Sequence, residues 1–537
     1  MPVRSHQQTS TQPKRLPIVE VATKIGISPR GLLNHGPYKA KVTADLINAL
    51  ANKPDGTLIL VTCVGPALAP GSGAAAAVAI SDALNRTGAR AISCLRETSL
   101  AECLAAASDP PALSATDWHF TGDFHAVTAA HNYLAALIDN HIHWGNELDI
   151  DARRVVWRRV LDLDDRALCS IVNSLGGVDN GFPREDGFGL TASSEVMAIL
   201  CLSLDHKDLL RRLGSIVVAY TSAGAPIYAR DLRAQETMAA LLAEALLPNL
   251  VQTPEHNPAF IHGGPSCGVG HGCSSVIATK AALKLADYVV TDAGHGADID
   301  VEKFFDIKCR KSSLAPATAV IVTSVRALKL EAGVGEADAY SENASAVAKG
   351  CAALTRRVAY IRKFGVAPVV AITTSPTDTQ EEIDAITAAA SVDGTPAITF
   401  AHWAQSRAGI DAFARRLADS CNPLPDGLRR LYSDGLPLWY KARTIATEFC
   451  GADDISADET VVAEFKALQE AGYGHLPISM AVTPGAAEKQ GSGSRGGTLE
   501  VRKVVLAAGA EFLVVVCGES DVSPGLPKLA ALPHPPE

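Results

Sequence analysis

Thr57-Leu58-Ile59-Leu60-Val61-Thr62-Cys63-Val64 leads into Gly65-Pro66-Ala67-Leu68-Ala69-Pro70-Gly71-Ser72-Gly73 and then into Ala74-Ala75-Ala76-Ala77. A continuous apolar run of this length suits a strand buried on both faces of a parallel sheet. The glycines and prolines end it, and the alanines begin a helix. Strand, glycine-rich loop and helix together form the layout in which backbone N–H groups and a helix N-terminus cradle a phosphate. Gly71, Ser72, Gly73, Ala74 and Ala75 are therefore the candidate nucleotide-binding residues. A phosphate loop of this kind also needs a lysine for the outer phosphates and a hydroxyl for magnesium. Ala74 and Ala75 stand in those places. The alternative is a tight turn in which Gly71 and Gly73 serve backbone geometry alone.

Outward from this stretch, seven more short apolar runs read as strands: 89–95, 215–221, 287–292, 318–325, 368–373, 397–401 and 511–517. Helical patterns lie between them, including 75–87, 237–247 and 273–285. The alternation predicts an α/β fold: a doubly wound, P-loop NTPase-like large domain with two smaller α/β domains. Ligands of such sheets sit at the carboxyl ends of the strands. The expected divisions are a tail and lead-in helix over 1–37, the nucleotide-binding domain over 38–365, a second domain over 366–450 and a small C-terminal domain over 451–537. Five glycines in 484–497 read as a flexible loop.

Of the 537 residues, 47% are hydrophobic and 20% charged, and the formal net charge is -10. That apolar content excludes a disordered chain. The acidic balance argues against a general nucleic-acid binder, which gains affinity by neutralising phosphates. Nothing reads as a membrane span. Twelve cysteines without a CxxC pair read as reduced thiols in an intracellular, cytoplasmic protein. Arg4, Lys14 and Arg15 with no acid among them leave a mitochondrial address as the alternative.

Several blocks carry a resemblance: His119-Phe120-Thr121-Gly122-Asp123-Phe124-His125-Ala126, Leu134-Ala135-Ala136-Leu137-Ile138-Asp139-Asn140-His141, Pro183-Arg184-Glu185-Asp186-Gly187-Phe188 and Ser194-Glu195-Val196-Met197-Ala198-Ile199. With the long segment 259–310, they resemble formate–tetrahydrofolate ligase over nearly the whole chain. The resemblance implies joining of formate to tetrahydrofolate with ATP and magnesium, through formyl phosphate. It implies small-molecule substrates, neither nucleic acid nor membrane as partner, and a homo-oligomer or a subunit of a larger assembly. By the same resemblance Arg96, in Arg96-Glu97-Thr98-Ser99-Leu100, holds formyl phosphate. Trp403 packs on the folate ring, with Phe304 or Phe305 as its partner. A planar guanidinium suits an acyl phosphate, and aromatic faces suit a pteridine.

The chain departs from that family where ligands are held. The family's Gly-Glu-Gly-Lys-Thr-Thr-Thr-Thr is here Gly71-Ser72-Gly73-Ala74-Ala75-Ala76-Ala77. A glycine-rich segment after Leu100 is replaced by the shorter, nearly glycine-free 101–118, and the asparagine of the family's Ala-Ile-Asn is Thr373. Two functions are expected from this: a ligase with impaired catalysis, or an inactive homologue serving as a structural or regulatory subunit that binds folate.

Other groupings carry weaker chemistry. His262, Cys267, His271 and Cys273 have metal-ligating side chains at spacings that match no common finger. His125, His141 and His143 with Asp123 and Asp139 offer acid/base groups, against hydrogen bonding to backbone at helix ends. Arg153, Arg154, Arg158 and Arg159 read as a salt-bridged helix face or a subunit contact.

Overall fold

Ten strands form one sheet: β1 (Leu32–Asn34), β2 (Ala40–Val42), β3 (Thr57–Cys63), β4 (Ala91–Leu95), β5 (Asn249–Gln252), β6 (Pro258–Ile261), β7 (Tyr288–Asp292), β8 (Thr318–Ser324), β9 (Ala367–Thr374) and β10 (Ala397–Ala401). A computed structural model describes residues 15–64, 72–97, 122–264, 272–293, 298–391, 394–401, 407–421, 424, 427–482 and 497–518. The spatial order is β1-β2-β5-β6-β4-β7-β3-β8-β9-β10. The seven strands from β6 to β10 in that order are parallel, and the remaining edge is antiparallel.

Alternation along β3 sends its side chains to both faces. Ile59, Val61 and Cys63 pack with helix α1 (Ser72–Arg86) and helix α10 (Arg407–Ser420). Leu58 and Leu60 face the other layer. That layer holds α5 (Val276–Leu283), α6 (Asp298–Lys303), α7 (Val325–Glu331), α8 (Ala344–Lys363) and α9 (Gln380–Ser391). Helices thus cover both faces, as continuous apolar strands require. A third apolar cluster joins α2 (Asp123–His143), α3 (Glu195–Leu202) and α4 (His206–Gly214).

One run expected in the large domain's sheet, 215–221, lies elsewhere, and the run 511–517 falls within the span expected for the C-terminal domain. Val217–Thr221 is the centre of a three-stranded antiparallel sheet, and Phe512–Cys517 belongs to a four-stranded sheet. A short apolar run records burial, and which sheet buries it is set by tertiary context. The division expected at 366 falls inside the large sheet, because β9 hydrogen-bonds along β8 over seven residue pairs. Arg153, Arg154 and Arg159 of the arginine cluster sit on strands and Arg158 in the connection between them, rather than on a helix face. Among the described residues no helix is long and apolar enough to cross a membrane.

Candidate active site

The connection from β3 through α1 to β4 leaves on one side of β3. The connection from β7 to β8 crosses to the other side. The strand order therefore reverses around β3 and β7, and the rule for such sheets places a ligand crevice at the carboxyl ends of these strands.

Charged side chains converge there. Arg96 follows the last residue of β4, and its side chain is 6% exposed. Its Nε lies 4.0 Å from Oδ2 of Asp292, the last residue of β7, which is also buried. Glu97 N donates to Gly263 O at 2.7 Å, and His262 N to Leu95 O at 3.0 Å, so the exits of β4 and β6 are tied together. In α6, Lys303 Nζ lies 3.7 Å from Asp300 Oδ1, with both residues buried. From the same layer Arg357 of α8 donates to Thr62 Oγ1 at 2.7 Å, one residue before the end of β3. Burying this many charges is costly unless they are paired, as Arg96 is with Asp292 and Lys303 with Asp300.

The flank of the crevice is also polar. Lys41 Nζ donates to Asp123 Oδ1 at 2.8 Å and Asn249 Nδ2 to Asp123 Oδ2 at 2.7 Å, which fixes the start of α2. His262 is fully buried, with Nδ1 2.6 Å from Ser275 Oγ and Nε2 2.6 Å from Ala245 O. Burial lowers its pKa to about 4, so the ring is neutral. Burial likewise pushes the Cys273 thiol up to about 12, which keeps it protonated. Neither group is free to bind a metal ion as presented. Cys267 and His271 lie outside the described residues. Among the described residues, no group of three or more His, Cys, Asp or Glu side chains is arranged to hold a metal.

The other residues singled out from the sequence are distributed as follows. Gly73, Ala74 and Ala75 form the first turn of α1, while Gly71, the Ser72 side chain and Trp403 lie outside the described residues. Phe304 and Phe305 occupy a π-helical segment, Phe304–Cys309, and are 0% and 1% exposed. Their rings meet edge to face, and Phe305 stacks on Phe364 with centroids 4.2 Å apart. Both rings are enclosed in the core of this structure. Asp139 is engaged by Arg159 and Arg184, and His141 Nε2 accepts from Leu148 N at 3.1 Å. Asp292, Asp300, Lys303 and Arg357 were not singled out beforehand. Asp292 was within reach, since it ends an expected strand.

The model of the family described as formate–tetrahydrofolate ligase matches residues 4–534. The chain belongs to the formate–tetrahydrofolate ligase family. A relative of that name from Rhizobium rhizogenes is 48% identical over 540 residues, covering 98% of this chain and 97% of the relative. Another, from Sinorhizobium fredii, is 48% identical over 98% of this chain and 96% of its own length. The Granulibacter bethesdensis ligase is 49% identical over 96% of this chain and 92% of its own length. In this ligase family member, the buried charges at the carboxyl edge lie where the fold rule places a ligand.

Proposed function

We propose that the crevice is a formate–tetrahydrofolate ligase site on a P-loop NTPase-like large domain, and that ATP-dependent ligation there is impaired. Formate, tetrahydrofolate and ATP are the substrates of this reading. Arg96 is its acyl-phosphate contact, oriented by Asp292, and Trp403 is its folate contact, whereas Phe304, enclosed in the core, is not exposed to a ligand. One observation carries the impairment. The first turn of α1 presents Gly73, Ala74 and Ala75, while Ala76 and Ala77 point into the sheet core. Ser72 is the single hydroxyl between Gly71 and Ala77.

Phosphoryl transfer depends on positioning and on charge stabilisation rather than on covalent chemistry by the protein. A helix N-terminus and loop N–H groups remain as anion donors. An ammonium for the outer phosphates and a hydroxyl for magnesium do not fit the side chains at 74 and 75, so no step is assigned to the metal. A charge-assisted hydrogen bond contributes about 1.5–3 kcal/mol, and each ~1.4 kcal/mol is tenfold in rate. Turnover several orders of magnitude below that of a lysine-bearing loop is the consequence.

Calorimetry with Mg-ATP and with tetrahydrofolate separately, beside a 10-formyltetrahydrofolate assay, tests this. Folate binding with weak or absent ATP binding and near-background turnover is expected. Robust turnover would overturn the impairment, and absence of folate binding would overturn the site. An inactive subunit that binds folate is the second reading, favoured by the same alanine turn. Zero turnover with intact folate binding selects it.

A further inference from the structure

Glu302 in α6 and Asp306 in the π-helical segment that continues it stand four residues apart, which puts both carboxyls on one helix face. They are 0% and 1% exposed. Among the described residues, no N–H or hydroxyl donor reaches Oε1 or Oε2 of Glu302, or Oδ2 of Asp306. The two carboxyls instead lie within hydrogen-bonding reach of each other. Two ionised carboxylates cannot share a dry contact, and buried acceptors need a donor. A proton between them meets both demands.

The charges that face the pair are already committed. Arg310 donates to Asp306 Oδ1 and to Asp434 Oδ1, so its single charge serves two carboxylates. Lys303 pairs with Asp300 at 3.7 Å, and Lys308 turns to Thr279 Oγ1 at 2.9 Å. From helix Leu438–Ile445, Lys441 Nζ donates to the carbonyls of Asp434, Gly474 and Leu476. The segment Ala446–Cys450, which packs on α6, brings Glu448, and that carboxylate pairs with Lys363. Tyr432 completes the set. Its ring lies under the Arg310 guanidinium at 4.6 Å, and its carbonyl accepts from Arg310 at 3.0 Å. Its hydroxyl accepts from Ile478 N at 3.2 Å, at the start of strand Ile478–Val482 in the four-stranded sheet.

We propose that Glu302 and Asp306 hold one proton between them at neutral pH, and that this proton latches α6 to the C-terminal sheet through Arg310 and Tyr432. With the proton in place, Arg310 is left to Asp306, Asp434 and Tyr432. Once it leaves, two adjacent carboxylates compete for the same guanidinium, and the hold on Tyr432 and on Ile478 loosens. Burial, then Asp306, keeps the Glu302 carboxyl well above its ordinary range, which agrees with the count of charges.

Infrared spectroscopy of the full chain and of Glu302→Gln tests the shared proton. A protonated carboxyl absorbs apart from carboxylates, and the difference between the two proteins at neutral pH is expected to show one. Linkage gives a second readout. Glu302 keeps its proton when folded and loses it above 4.5 when unfolded, so its contribution is full below that value and is lost as pH rises. The folding constant of the wild type, relative to Glu302→Gln, is expected to fall by up to about tenfold per pH unit above 4.5. Amide exchange at Ile478 reads the latch. Corrected for the intrinsic rate, its protection is expected to fall with rising pH in the wild type and to stay level in the variant. A difference spectrum without a protonated carboxyl, or stability curves that run parallel, overturns the shared proton. Equal Ile478 protection in both proteins at every pH overturns the latch. Should Glu302→Gln not fold, the same band read in Glu195→Gln decides the first point, because that substitution removes a second buried carboxyl raised to about 7.

Discussion

Gly263 shows how a single residue sets the crevice. It follows β6 with φ +83°, and a Cβ there would lie 2.5 Å from Cys201 Sγ. Its carbonyl receives the Glu97 N–H that steadies the turn beside Arg96. Gly263→Ala therefore incurs the left-handed penalty of about 1–2 kcal/mol and an overpacking cost of about 1–3 kcal/mol. A loss of roughly 2–5 kcal/mol in urea-measured stability is expected, and a change below 1 kcal/mol would show that the contact relaxes freely. At this scale the sequence was only partly legible. Arg96 could be read from its motif, and Asp292 from its place at a strand end. The demand on Gly263 comes from Cys201 on α3, which is distant in sequence and has no local signature. Lys303 and Arg357 were hidden for a related reason. A cation on a helix looks solvated until the sheet beneath it is known.

At the scale of elements, the alanine turn of α1 tests two physical demands at once. Ala74 is half-buried beside the crevice, whereas Ala76 and Ala77 are 1% and 0% exposed within the cluster under α1. Ala74→Lys should fold normally, because a long cation can reach solvent or ligand from a half-buried position. Ala77→Thr adds a methyl and a hydroxyl to a filled core and should cost about 1–3 kcal/mol. Thermal unfolding of the two variants checks the difference, and equal stability would show that the helix face is not packed as described. The element itself was legible: strand and helix fell where the apolar run and the alanines put them, and the loop between them lies outside the described residues. The strand 217–221 was found too, but not its sheet. Apolar runs report burial, and partner choice depends on long-range pairing. The basic cluster misled because i, i+4 spacing also arises on strands, where it places side chains on one face at period two.

At the scale of the whole molecule, one hairpin ties the C-terminal sheet to the large unit, and two glutamates hold its tip. Strands Thr498–Ala507 and Phe512–Cys517 pack Ala507, Phe512 and Val514 against α3 and α4. Glu195 Oε1 accepts from Gly509 N at 2.7 Å and Ala510 N at 3.2 Å. Glu511 pairs with Arg211 at 2.7 Å, Lys311 at 3.0 Å and Arg212 at 3.1 Å. The two carboxyls respond to pH in opposite senses. Burial of the Glu195 carboxyl under the hairpin outweighs its two hydrogen bonds and raises its pKa from 4.5 to about 7. Its contribution is full below pH 4.5 and is lost as pH rises through about 7. Burial would raise Glu511 as well, but Lys311 and Arg212, helped by Arg211, overcome it and lower the pKa to about 2. That contribution is full above pH 4.5 and is lost as pH falls toward 2. Glu195→Gln should therefore gain stability relative to the wild type as pH rises from 4.5 to 7, because the amide never charges. Glu511→Gln should lose up to about 3 kcal/mol at neutral pH, with the deficit shrinking in acid. Urea unfolding across this pH range separates the two. Curves that run parallel to the wild type would mean that neither carboxyl changes its proton affinity when the hairpin docks.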